Sequence, residues 1–181
     1  KLIKIFEFAK NTLNSSYNNT QNYDLIYYSM ASEQFLFNKI YYMIYDIYDI
    51  KYKKVNDDFL NNKKEINENL SINEIFNIMD IKQKFRGEEQ IPYKTVIECI
   101  NKIPFEKTPK KKLEVITQSS IELRTCILNY TKGKNELDSM DDELPIVLYI
   151  ATQINIGNLS AELYIIDDYI KCCLGDDLIQ N

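Results

Sequence analysis

Residues 139–154 read SMDDELPIVLYIATQI. A proline in a helix interior costs about 3 kcal/mol, but within the first turn its missing amide matters little. Pro145 therefore sets a helix start at about Asp141 or Asp142, and the helix runs on to about Ile154. That start gathers Asp141, Asp142 and Glu143 where unpaired amides and the helix dipole favour negative charge. Three readings of these acids stand side by side: plain helix caps, a divalent-cation site, and an acidic probe for a cationic pocket. A cation site needs several converging oxygens, and DSMDDE carries no EF-hand spacing.

Outward from this stretch the apolar spacing stays helical. Gly157-Asn158 breaks the helix, and a last one spans about Leu159 to Cys173, with Gly175 as its stop. Upstream, residues 131–140 form a turn. Thr108-Pro109 caps a helix that carries Leu113, Ile116, Leu123 and Ile127 to about Tyr130. Pro92 opens a helix lined by Tyr93, Val96, Ile97 and Ile100 and closed by Pro104. Ser71-Ile72-Asn73-Glu74 is a capping box ahead of Ile75, Phe76, Ile78 and Met79, and Gly87 ends the segment after it.

A long helix is predicted over residues 32–52. Phe37, Ile40, Ile44 and Ile47 form one stripe, and Tyr41, Tyr45, Tyr48 and Tyr52 its neighbour. This reads as a core helix whose tyrosine hydroxyls stay at the wet margin, or as an aromatic face for a partner. Residues 53–69 are polar, a loop or weak helix, residues 14–22 a loop, and Leu2, Ile5, Phe6 and Ala9 mark a short first helix. No strand pattern competes. The fold class is all-α, and short connections favour antiparallel packed neighbours in a bundle.

Composition narrows the chemistry. The 181 residues suit one domain with a flanking helix. Histidine is absent, which excludes His-based triads, HExxH zinc sites and His-ligated haem. Four glycines build no GxGxxG or GxxxxGK[ST]. A net charge of −5 and a pI near 4.9 argue against nucleic-acid binding. Cys99, Cys126, Cys172 and Cys173 form no CxxC and read as reduced thiols. No apolar run reaches the roughly 18 residues of a membrane span. The chain begins at Lys1 rather than Met and reads as a piece of a longer protein. The basic run Lys107, Lys110, Lys111 and Lys112 is a solvated face or a contact for anionic lipid or an acidic partner.

The run from Asp141 to Ile150 resembles the signature of the vacuolar-protein-sorting-nine (VPS-nine) domain: an acidic pair, x-Leu-Pro, then a hydrophobic helix with Tyr four residues after the Pro. Two more matches follow in order. Pro109-Lys110-Lys111-Lys112-Leu113 is similar to the family's Pro-x-x-Lys-Leu helix start. Leu159-Ser160-Ala161-Glu162-Leu163-Tyr164-Ile165 is similar to its Leu-x-Ser-x-x-x-Tyr-Ile helix. A weaker likeness reaches back over Phe35 to Ile50, so the resemblance covers roughly residues 31–171.

The resemblance implies an all-α, layered helical bundle over residues 31–181, flanked by a helical segment over 1–30. It implies a guanine nucleotide exchange factor for Rab-five-class small GTPases in endosomal vesicle trafficking. Such a protein is cytoplasmic and peripheral to endosomal membranes, with no cofactor, no metal and no covalent chemistry of its own. The second acid, Asp142, is then the aspartate finger. Asp141, Leu144, Pro145, Leu148 and Tyr149 fall to the wall of the groove that receives the GTPase. The family's second signature, Thr-Gly-Glu-x-x-Tyr-Tyr, would place its Tyr just past Asn181, and residues 171–181 (KCCLGDDLIQN) do not reproduce its start. The alternative is a helical module that binds a GTPase or other partner without exchange.

Overall fold

The tyrosine-rich stretch is helical well beyond its apolar stripe. The computed structural model describes residues 22–134, 137 and 139–174. The expected first helix, the loop over 14–21 and the Gly175 stop lie outside them. Among the described residues there are six α-helices, two short 3₁₀ turns and no strand. The helices are α1 (Asn22–Asn69), α2 (Ile72–Ile78), α3 (Lys94–Ile100), α4 (Pro109–Tyr130), α5 (Met140–Gln153) and α6 (Leu159–Leu174). The all-α helical class is the one the sequence predicts.

The chain divides into two compact units. Of the described residues, the first takes in those up to Lys53, Glu106–Lys112 and those from Asn158 on. Phe37, Ile44 and Tyr48 of α1 bury against Ala161 and Ile165 of α6, with Ile40, Tyr45 and Tyr52 at the margin. Tyr52 stacks on Tyr164, ring centroids 3.7 Å apart. Ile47, assigned to the stripe, is exposed, because the Phe37–Ile44 side of the helix meets α6 first. Asn158 begins α6 as its side chain accepts from the Ala161 amide at 2.8 Å and donates to Asp49 at 2.5 Å.

This unit buries an ion pair. Lys112, read as part of a solvated basic run, is fully enclosed and sits 2.6 Å from the equally buried Glu162. Tyr41 donates to Glu162 at 3.2 Å and accepts from Lys112 at 3.0 Å, with the ammonium also over its ring. The Tyr41 hydroxyl is therefore inside, not at a wet margin. Burial pushes the Lys112 ammonium down and the Glu162 carboxyl up, and their contact opposes both shifts.

The second unit holds Lys54–Phe105 and Leu113–Gly157. Residues 53–69, read as a loop or weak helix, continue α1 to Asn69. Their polar side chains have fixed tasks. Asn56 donates to the Gly157 carbonyl at 2.9 Å, Lys63 to that of Ile154, and Asn67 to that of Thr152 at 2.7 Å. These oxygens lie at or just past the end of α5, where helix carbonyls lack intrahelical partners and a cation suits the dipole. A polar helix needs no apolar stripe when it is tied down in this way.

Elsewhere in this unit the Ser71–Glu74 capping box forms as read. Pro92 precedes α3 rather than opening it, because Tyr93 is the cap and sits in the left-handed region at φ 60°. That conformation is unfavourable for a bulky residue. Burial holds it: the Tyr93 amide donates to the Tyr130 hydroxyl at 3.0 Å, and its own hydroxyl bonds the Phe85 carbonyl. Gly87 is dictated by close approach, since a Cβ there would lie 2.5 Å from the Tyr130 ring.

Glu162→Ala removes the counter-charge of a buried ammonium and is expected to cost about 3–5 kcal/mol in urea denaturation. Replacing both partners (Lys112→Met with Glu162→Leu) is expected to recover most of that loss.

Candidate functional site

Helix α5 is two-sided. Asp142, Ile146, Tyr149 and Ile150 are buried. Met140, Leu144, Val147 and Leu148 follow the i, i+4, i+7, i+8 spacing of one face and are 43% to 76% exposed. Isolated exposed apolar residues are ordinary, but four on one helical stripe are a surface suited to a partner.

The helix starts at Met140, one or two residues ahead of the expected Asp141 or Asp142. Ser139 is the N-cap, in an extended conformation, and its side chain accepts from the Asp142 amide at 3.3 Å. Pro145 therefore lies in the second turn, where its missing amide costs a hydrogen bond. The Ser-x-x-Asp spacing of Ser139 and Asp142 was a legible capping signal. The cap places Asp141, Asp142 and Glu143 together in the first turn.

The two adjacent aspartates face opposite environments. Asp141 is exposed. Asp142 is 8% exposed at its side chain and is bound by the Lys82 ammonium at 2.5 Å. The resemblance implies Asp142 as the aspartate finger, whereas Asp141 is the exposed acid and Asp142 is engaged within its own chain. A side chain a hundred degrees further round the helix points the other way, and only packing decides which residue that is.

Lys82 was not singled out from the sequence, and no local spacing connects it to a residue so far along the chain. It is well supported. Ile81 before it and Phe85 after it are buried, the Ile81 amide donates to the Phe76 carbonyl at 2.9 Å, and Arg86 donates to the Ile81 carbonyl at 2.8 Å.

The remaining expected site residues separate cleanly. Leu144 and Leu148 are exposed on the stripe, and Pro145 is half-buried beside it. Tyr149, expected on the groove wall, is in the core instead, 1% exposed and edge-on to Phe76 at 4.8 Å. Burial pushes its hydroxyl up to about 12. It supports the back of α5 rather than offering a contact. Among the described residues no cluster of His, Cys, Asp and Glu could hold a metal ion, and no helix is long and apolar enough to cross a membrane.

Tyr149→Ala is expected to cost about 3–5 kcal/mol, the range for emptying an aromatic core position. Leu148→Ala, on the exposed stripe, is expected to change stability by under about 0.5 kcal/mol. Urea denaturation of the two variants side by side checks the assignment.

Comparison with known proteins finds a match over part of the chain that includes the site. Residues 93–176 match the model of the Vacuolar sorting protein 9 (VPS9) domain, a narrower span than the resemblance suggested. Alsin of Homo sapiens is 34% identical over 76 residues, covering 42% of this chain and 4% of Alsin. The ALS2 C-terminal-like protein of Mus musculus is 34% identical over 74 residues, 41% of this chain and 8% of that protein. The chain thus matches only a small part of these relatives' length, and no solved structure matches it. Helices α3 to α6, with Asp141, Asp142 and the exposed stripe of α5 among them, lie in the span that matches the VPS9 domain model.

Proposed function

We propose that this chain promotes GDP release from a Rab GTPase of the Rab-five class at endosomal membranes, with Asp141 rather than Asp142 as the acid that enters the GTPase. The VPS9 match supports the reaction class. The observation that carries the residue assignment is the exposed Asp141 carboxylate beside an exposed apolar stripe, on a helix whose adjacent aspartate is already paired with Lys82.

A GTPase holds its nucleotide through a phosphate-cradling loop, that loop's Lys and Mg²⁺. Affinities in the nanomolar to picomolar range correspond to about 12–16 kcal/mol. An exchange factor must prefer the empty GTPase to the loaded one, since only differential affinity moves that equilibrium. Met140, Leu144, Val147 and Leu148 offer apolar surface to switch residues drawn off the metal. Asp141 then pairs with the Lys that the departing phosphate leaves behind, which would otherwise be a buried unpaired cation. Asp142 cannot take this part without abandoning Lys82 and a buried position.

Fluorescent-GDP release from a Rab-five-class GTPase tests the reading. Asp141→Asn is expected to lower the stimulated rate about a hundredfold or more, with an unchanged melting temperature. Leu148→Asp is expected to abolish binding of the nucleotide-free GTPase. Full exchange by Asp141→Asn overturns the acid assignment. Binding of the empty GTPase with no stimulated release at any concentration points instead to a non-catalytic module, the reading that the engaged Asp142 favours.

A further inference from the structure

We propose that Lys82 is a positioning residue for nucleotide exchange: by binding Asp142 beneath the start of α5, it fixes which of two adjacent acids is presented to the partner. This rests on the exchange-factor reading above.

The first turn of α5 carries three carboxylates. A helix N-terminus offers the equivalent of about half a positive charge, too little to balance all three. Asp142 is the one taken out of water, and a carboxylate there needs a counter-charge or it leaves the site. Ser139 satisfies the Asp142 backbone amide, so the carboxylate has to be met from elsewhere.

Lys82 is placed for that and for little else. Its backbone is held on both sides by buried Ile81 and Phe85, while its side chain is 59% exposed and crosses open surface to reach a carboxylate that is 8% exposed. The contact with Asp142, helped by Asp141 and Asp80 further away, pushes the Lys82 ammonium above its ordinary value.

Without Lys82, three unbalanced acids crowd one turn. Asp142 then swings outward or the turn frays. Either outcome blurs the distinction between the two acids, and the incoming GTPase cation meets a mobile carboxylate instead of a fixed one. Positioning of this kind affects the rate of release more than the affinity of docking, because the apolar stripe is untouched.

The test uses the whole chain in two measurements. The first is amide hydrogen exchange with no GTPase present. Lys82→Met is expected to speed exchange over residues 140–148 about tenfold, and Lys82→Arg to restore protection. The second is GDP release at saturating exchange factor. Lys82→Met is expected to lower the maximal rate about tenfold with the half-saturating concentration within about twofold of wild type. Lys82→Met combined with Asp142→Asn is expected to be no slower than Lys82→Met alone, as for two residues acting through one contact.

Wild-type protection over 140–148 in Lys82→Met overturns the proposal, whether or not any exchange activity is found. So does a wild-type maximal rate in a variant that has lost only melting temperature. Failure of the wild-type chain to release GDP would instead reject the exchange-factor reading, leaving the hydrogen-exchange comparison to decide the role of Lys82.

Discussion

Two adjacent aspartates at the start of one helix cannot do the same work, and the Lys82–Asp142 contact is the constraint that separates them. Successive residues on a helix are rotated by a hundred degrees, so an adjacent pair at the margin of the buried face can meet different surroundings. The cap at Ser139 fixes the phase of that rotation, and the buried face of Ile146, Tyr149 and Ile150 locks it. Asp142 falls inward with the core and must be compensated there. Asp141 falls outward, on the same side as Leu144 and Leu148, and is exposed to water.

The other end of α5 is held by a different device with the same logic. Asn56, Lys63 and Asn67 of α1 meet carbonyls at and beyond its C-terminus. The helix therefore has a cation at one end serving its buried acid and a cation with two amides at the other serving its free carbonyls. Backbone polar groups at helix ends are otherwise left to water. Anchoring both ends matters under the proposed function, because displacement of about 1 Å in a reacting group can cost a hundredfold in rate. The Lys112–Glu162 pair belongs to another category. Both partners are fully enclosed, and such pairs add little net stability while strongly opposing the loss of either member.

What could be read from the sequence follows from how local each cause is. The capping box at Ser71 and Glu74, the Thr108-Pro109 start and the Gly157-Asn158 break are set by neighbours within one turn, and all are where the spacing put them. The apolar period gave the helical class for the same reason. Residues 53–69 failed as a helix by that criterion because their partners lie about a hundred positions further on and are backbone oxygens, which leave no trace in a hydrophobic pattern. Lys112 looked like its neighbours Lys110 and Lys111 because charge runs do not reveal which member faces inward. The same blindness decided the candidate site: DDELP marks where the acids are, but which one is buried depends on Lys82, and nothing local to either residue announces the other.

The division of labour on α5 also follows from magnitudes. Fully burying a Leu, Val or Met side chain contributes roughly 1.5–3 kcal/mol, and the stripe residues start about half exposed, so four of them supply roughly 3–6 kcal/mol. That falls well short of the roughly 12–16 kcal/mol that holds a nucleotide at nanomolar to picomolar affinity. Under the proposed function the apolar surface seats the GTPase, but a contribution of that size does not displace the nucleotide by itself. The carboxylate is different, because it gains its counter-charge only where a phosphate has left. On that proposed reading, discrimination between the two forms rests on the acid, and the acid discriminates only if it arrives uncommitted. A chain that neutralises one aspartate internally and leaves its neighbour exposed meets both requirements with adjacent residues.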